Sequence, residues 1–297
     1  VYRARDTRLG RAVALKVLAP HLVGDERARD RLLREARAVA ALDHPHVASV
    51  YDVGETDDGG AYLVMELVDG KSAWELFQEE DAPGPQATVQ MMIDVARALQ
   101  HAHEARGPGG RPLGVIHRDV SPSNILVSFE GAVKVIDFGL AKIHDVEQTG
   151  EGERKLTKTG MIFGTPHYMS PEQVRGEATD ARSDLFSFGA VLYEMAAGTK
   201  AFNRDTAVET MTAILNDPLP ASSRTELPND HRMYNVISRC LAKVPDERFE
   251  TSHDLLNAIK DAAHSQATSR SSRTPLVAGI ATIAVVAIIA VVLLNQG

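Results

Sequence analysis

Three side chains in this chain suit phosphoryl transfer by type and spacing: Asp119, Asn124 and Asp137. Two of them stand in the run His117-Arg118-Asp119-Val120-Ser121-Pro122-Ser123-Asn124, and the third opens Asp137-Phe138-Gly139 thirteen residues after Asn124. Asp119 can orient an attacking hydroxyl and accept its proton, while Asn124 and Asp137 offer hard oxygen ligands for magnesium. Asp-Phe-Gly alone is a common turn tripeptide. Its weight comes from the separation and from the short apolar strands beside each run, Ile125-Leu126-Val127 and Val133 to Ile136.

The elements that must position these groups fall into two parts. Arg11 to Leu18 alternates as a strand, with Val13, Leu15 and Val17 on one face and Ala14, Lys16 and Leu18 on the other. Glu26 to Leu42 has helical periodicity, with Ala28, Leu32, Ala36 and Val39 on one stripe, and Asp43-His44-Pro45 ends it. Val47 to Val53 and Ala61 to Leu67 read as two more strands around an Asp/Gly turn. From Ser72 the pattern is mostly helical: Thr88 to Ala105, Asp184 to Ala197, Met211 to Asn216, His231 to Lys243 and His253 to Ala263, with a loop over Gly107 to Gly114. The pattern predicts an α+β fold with a small sheet lobe and a larger helical lobe.

Glu35 falls in the middle of its helix's apolar stripe, where a carboxylate needs a partner. With Lys16 in Val13-Ala14-Leu15-Lys16, and with the two runs above, the chain resembles the eukaryotic-type protein kinases, including membrane-anchored bacterial serine/threonine kinases. The resemblance covers residues 1–262 and implies a small lobe over 1–69, a large lobe over 70–262 and ATP in the cleft between them. It implies that Lys16, paired with Glu35, holds the α- and β-phosphates, that Asn124 and Asp137 hold Mg2+ (or Mn2+), and that Asp119 serves the acceptor hydroxyl. Ala14 would admit the adenine ring, Met65 would back it, Glu66 and Val68 would offer backbone groups to its edge, and Leu126 would pack beside it. Thr165 is expected to bond Asp119, Glu172 to pair with Arg248, and Asp184 to begin the central helix and accept backbone bonds from the His117-Arg118 turn. His117 and Phe138 are expected behind the site as core. Thr157 and Thr159 are expected phosphorylation sites whose phosphates would pair with Arg118.

Two departures stand out. Val1 corresponds to the valine that ends the family's glycine-rich phosphate loop, so that loop is expected upstream of Val1. Ser121 stands where most serine/threonine kinases place a lysine, which withdraws a charge from the γ-phosphate. Those two departures support the competing reading of a non-catalytic scaffold of the same fold. A small-molecule phosphotransferase is disfavoured by Ser170-Pro171-Glu172 and Arg248, while Pro122 and Gly164-Thr165-Pro166 favour serine/threonine over tyrosine as acceptor.

The net charge of −8 and the lack of a lysine-arginine cluster argue against a nucleic-acid partner. Cys240 is the only cysteine, so no intrachain disulfide can form, and its apolar helical setting suits a packed thiol. Leu276 to Leu294 is nineteen residues without a charge, which as a helix would be about 28 Å long and could cross a bilayer. It follows a polar segment, 263–275, read as a linker. Arg270 and Arg273 precede the span and no lysine or arginine follows it, which predicts a cytoplasmic kinase domain on a single-pass protein of the bacterial inner membrane. Expected partners are protein substrates, the lipid bilayer and a second copy acting in trans.

Overall fold

The structure, a computed structural model, describes residues 1–17, 36–56, 61–80, 82–138, 166–220 and 231–271. Glu35, Thr157, Thr159, Thr165 and the apolar run 276–294 lie outside the described residues.

Among the described residues, seven strands form two antiparallel sheets. Strands β1 (Tyr2–Asp6), β2 (Arg11–Val17), β3 (Val50–Glu55) and β4 (Ala61–Glu66) make a four-stranded sheet in the order β1-β2-β4-β3. Val13 and Ala14 of β2 are both buried, Ala14 within the small-lobe core. That core is a cluster of Ala14, Ala36, Ala61, Leu63 and Met65. Residues 36–40 are helical, and Ala36 and Val39 are buried, as the stripe predicts.

The strand expected from Val47 begins at Val50 instead. Val47 forms an isolated parallel bridge with Val135, Ala48 N–H donates to the Val135 carbonyl (3.0 Å), and Val135 N–H donates to that of His46 (2.9 Å). The apolar run is therefore shared between the two lobes. Sequence periodicity reports that Val47 is buried, but it cannot say against which partner.

The second sheet, β5 (Gly70–Ser72), β6 (Ile125–Ser128) and β7 (Val133–Val135), underlies the cleft from the helical lobe. The helices there are α1 (Ala73–Leu76), α2 (Pro85–Glu104), α3 (Pro171–Arg175), α4 (Ala181–Ala197), α5 (Ala207–Asn216), α6 (His231–Cys240) and α7 (Ser252–Ser271). Helix α4 is central, buried nearly all round, and capped by Asp180 at its start and by left-handed Gly198 at its end. Asp184 thus lies in its first turn rather than beginning it. Helix α7 runs on to Ser271, into the segment read as a linker, because no glycine or proline interrupts it before Pro275. Among the described residues no helix is long and apolar enough to cross a membrane.

Gly189 of α4 allows α6 to approach closely. A Cβ there would meet the Cys240 Cβ at 2.5 Å and the Leu241 Cγ at 3.3 Å. Gly189→Ala should therefore lower stability by about 1–3 kcal/mol through overpacking, read as an earlier midpoint in chemical denaturation.

Candidate active site

The catalytic-loop run is built as a set of main-chain commitments before any side chain reaches the cleft. Arg118 has φ of 67°, a left-handed conformation costly for a residue with a Cβ. Asp184 holds it: the His117 N–H donates to Asp184 Oδ2 and the Arg118 N–H to Oδ1, both at 2.7 Å. On the other side Gln173 Nε2 donates to the Arg118 carbonyl at 2.7 Å. Asp184 thus accepts both backbone N–H groups of the turn, and Gln173 adds a second grip. Gln173 is itself fixed by a capping box with Ser170, a signal visible in Ser170-Pro171-Glu172-Gln173.

His117 is buried behind the loop. Its Nδ1 accepts the Asp119 N–H at 3.2 Å, so Nε2 carries the hydrogen and donates to the Ile136 carbonyl at 2.8 Å. Its ring lies 4.5 Å from that of buried Phe138, centroid to centroid. Ile136 N–H donates in turn to the Asn124 carbonyl at 3.0 Å. These bonds join the two motifs, so Asp119, Asn124 and Asp137 share one cleft.

Within it, Asn124 Nδ2 donates to both the carbonyl and Oδ2 of Asp119, each at 2.8 Å. The Asn124 amide oxygen is then the atom it can offer a cation. Asp137, also left-handed with φ of 63°, places Oδ2 at 2.8 Å from Lys16 Nζ. Lys16 comes from the small lobe and Asp137 from the large one, so this ion pair spans the cleft. Asp137 Oδ1 is buried with no hydrogen-bond partner among the described residues. A buried carboxylate oxygen without a partner and an amide oxygen in the same cleft are hard donors of the kind a divalent cation takes. The residues therefore fit the metal that the resemblance implies.

Asp119 is open to the cleft but densely surrounded from behind. Desolvation is the largest influence and raises its pKa, as does nearby Asp137; His117, the Asn124 bond and Lys16 pull the other way, and the outcome is upward.

The other expected site residues are placed as follows. Ala14 and Met65 are buried together in the small-lobe core. The Glu66 N–H is committed to the Ser49 carbonyl (2.9 Å), so it is not available to an adenine edge. The Glu66 side chain accepts from the Ser49 N–H (3.1 Å) and from Lys134 Nζ (2.9 Å). Val68 is half-buried between β4 and β5, Leu126 lies in β6, and Val1 is exposed at the end of β1. The acid that Lys16 meets among the described residues is Asp137, while Glu35 and Thr165 lie outside them.

Glu172 and Arg248 form a buried two-pronged ion pair, Nη1 to Oε1 at 2.7 Å and Nη2 to Oε2 at 2.9 Å. Ser183 Oγ also donates to Glu172 Oε1 (2.7 Å), and Arg248 donates to the carbonyls of Ala242 (2.9 Å) and Arg182 (2.8 Å). Ser183 went unnoticed in the sequence because a serine inside a helix has no distinctive spacing. Cys240 is buried, and burial pushes its thiol up to about 12, in keeping with a packed, unreactive side chain.

Known proteins resemble this chain over most of its length. The protein kinase domain profile matches residues 1–260. The serine/threonine-protein kinase PknB of Mycobacterium tuberculosis is 38% identical over 260 residues, spanning 86% of this chain and 39% of that protein. A probable serine/threonine-protein kinase of Clostridium perfringens, CPE1738, is 36% identical over 276 residues, or 92% of this chain and 38% of that one. The crystal structure of the Mycobacterium tuberculosis PknI kinase domain superposes with a TM-score of 0.65 at 27% identity, covering 88% of this chain and 90% of that one. The chain belongs to the protein kinase family and has its two-lobed fold, and membership implies use of ATP and a divalent metal. It spans under two-fifths of the length of the PknB relative it matches.

Desolvation would raise the Glu172 pKa, but the Arg248 and Ser183 bonds and the arginine charge outweigh it and hold it at about 2. That is below the ordinary value of about 4.3, so the stabilisation is complete above that pH and is lost as pH falls toward 2. Denaturation at stepped pH should show wild-type stability falling more steeply between about pH 5 and 2 than that of Glu172→Gln. At neutral pH, Arg248→Met should cost about 3–5 kcal/mol by leaving a buried carboxylate uncompensated.

Proposed function

We propose that this protein is a serine/threonine protein kinase that moves the γ-phosphoryl group of ATP to hydroxyls of protein substrates. The observation that carries this reading is the pairing of Asn124 with Asp119 and of Lys16 with Asp137, each at 2.8 Å, in one cleft. Asp119 orients the acceptor hydroxyl and takes its proton as the oxygen attacks in line. Lys16 turns from Asp137 to the α- and β-phosphates. Asn124 and Asp137 hold Mg2+, which when bound supplies charge neutralisation on the phosphate oxygens. The backbone bonds to Asp184 and Gln173 keep Asp119 in place, so catalysis is mainly positioning.

Anchoring to a bacterial inner membrane through 276–294, with the kinase domain in the cytoplasm, is part of the proposal. It is supported by the uncharged run and by Arg270 and Arg273 before it. Activation by phosphate on Thr157 and Thr159, paired with Arg118 and delivered by a second copy, is supported by their placement between Asp137 and Thr165.

Transfer of labelled γ-phosphate by the full-length protein tests the main reading. Asp119→Ala should reduce transfer by about 10²–10⁴-fold, the usual weight of a positioned general base; wild-type protein as inactive as this variant would support the scaffold reading. Because the Asp119 pKa is raised and the ionised form is the base, the acid limb of kcat/KM should fall above the ordinary aspartate value of about 3.9. Thr157→Ala with Thr159→Ala should lower turnover several-fold, to be measured with the same protein substrate.

A further inference from the structure

Asp184 holds the catalytic loop, and something must hold Asp184. Its carboxylate is fully buried, and an ion there requires partners beyond two backbone amides. The third is His103, near the end of α2, whose Nε2 lies 2.7 Å from Asp184 Oδ2. Because that atom faces a carboxylate, it carries the hydrogen. The other ring nitrogen, Nδ1, lies 2.5 Å from the hydroxyl of Ser252, the first residue of α7. Both imidazole nitrogens are thus committed, and Ser252 and Asp184 are buried.

Ser252 is available for this contact because its neighbour does the capping. Thr251 Oγ1 accepts the Asp254 N–H (3.1 Å), and Asp254 Oδ2 accepts from the Thr251 N–H (3.2 Å) and hydroxyl (2.6 Å). A second contact next door, Gln100 Nε2 to His253 Nδ1 at 3.0 Å, fixes the register of α2 against α7. The path Ser252–His103–Asp184–His117/Arg118 is continuous and runs from helix α7 to the residue preceding Asp119.

We propose that His103 and Ser252 are positioning residues for phosphoryl transfer, acting through Asp184, so that docking of the helix Ser252–Ser271 is read directly by the catalytic loop. The Ser252 hydroxyl fixes the orientation of the imidazole, the imidazole fixes the carboxylate, and the carboxylate holds Arg118 in its left-handed conformation. Neither residue touches the cleft. Their loss should therefore affect the fraction of molecules with Asp119 in place, and not the binding of nucleotide. This rests on the kinase reading above.

The test is steady-state kinetics on the full-length protein, with amide hydrogen exchange at His117 and Arg118. His103→Ala should lower kcat by about 30-fold while KM for ATP stays within about twofold, the signature of a lost positioning contact. His103→Gln, whose amide can still donate to Asp184, should recover much of that loss, and Ser252→Ala should lower kcat by about fivefold. Exchange at the two amides should quicken in the same order. If the wild type transfers phosphate and Asp119→Ala does not, but Ser252→Ala and His103→Gln match the wild type in kcat and exchange, the relay is overturned. The same holds if all three variants lose cooperative melting together, or if KM rises in step with the fall in kcat. A wild type no better than Asp119→Ala would instead defeat the kinase reading, while the exchange result would still report on the relay.

Discussion

A single buried negative charge organises the large lobe. Asp184 has no exposure, and desolvation alone would drive its pKa up, yet the His103 hydrogen bond and the backbone N–H groups hold it below the usual range. A carboxylate in that setting is stable only while every acceptor site is used. That requirement works in reverse on the chain: the His117-Arg118 turn must present two N–H groups to one side chain, and a left-handed arginine is the conformation that does so. The strain at Arg118 is therefore the local cost of a satisfied buried ion.

The second buried ion, Glu172 with Arg248, follows the same logic on the other side of α4. Ser183, one residue before Asp184, bonds Glu172, and Gln173, one residue after Glu172, bonds the Arg118 carbonyl. The two anchors are thus linked through neighbouring positions, so that the segment ending in Ser170-Pro171-Glu172 and the loop bearing Asp119 rest on one helix. Residues far apart in the chain become rigidly related because α4 is buried on nearly all sides and cannot roll. The small lobe contributes its share through ion pairs that join the lobes, among them Lys16 with Asp137 and Glu66 with Lys134.

Much of this was legible before any coordinates. Asp119, Asn124 and Asp137 carry their chemistry in residue type, and helices such as Pro85–Glu104 announce themselves by periodicity. Asp184 and Arg248 became legible through resemblance, since no periodic rule predicts a carboxylate's partner seventy residues away. What stayed hidden was of two kinds. Val47 is apolar and buried, but its pairing with Val135 instead of a neighbouring strand depends on how the lobes meet. His103 and Ser252 look like a helix-face histidine and a helix-start serine; only packing of α2 on α7 brings them together. Short-range pattern encodes which face is inside, and tertiary contact alone decides what each inside group meets.

Ser121 illustrates how much chemistry a departure from a family pattern removes. Its side chain is buried, and its carbonyl accepts the Asn124 N–H at 3.0 Å, closing the 3₁₀ turn Pro122–Asn124 that delivers the Asn124 amide to Asp119. That structural duty belongs to the backbone, and serine performs it as well as lysine would. On the kinase reading, what serine does not bring to this position is the positive charge of a lysine, a contribution made in the transition state more than in the bound ground state. The expected consequence is confined to the rate of transfer, while the geometry that binds and aligns the reactants is kept by the same bonds that hold Asn124, Asp119 and Arg118.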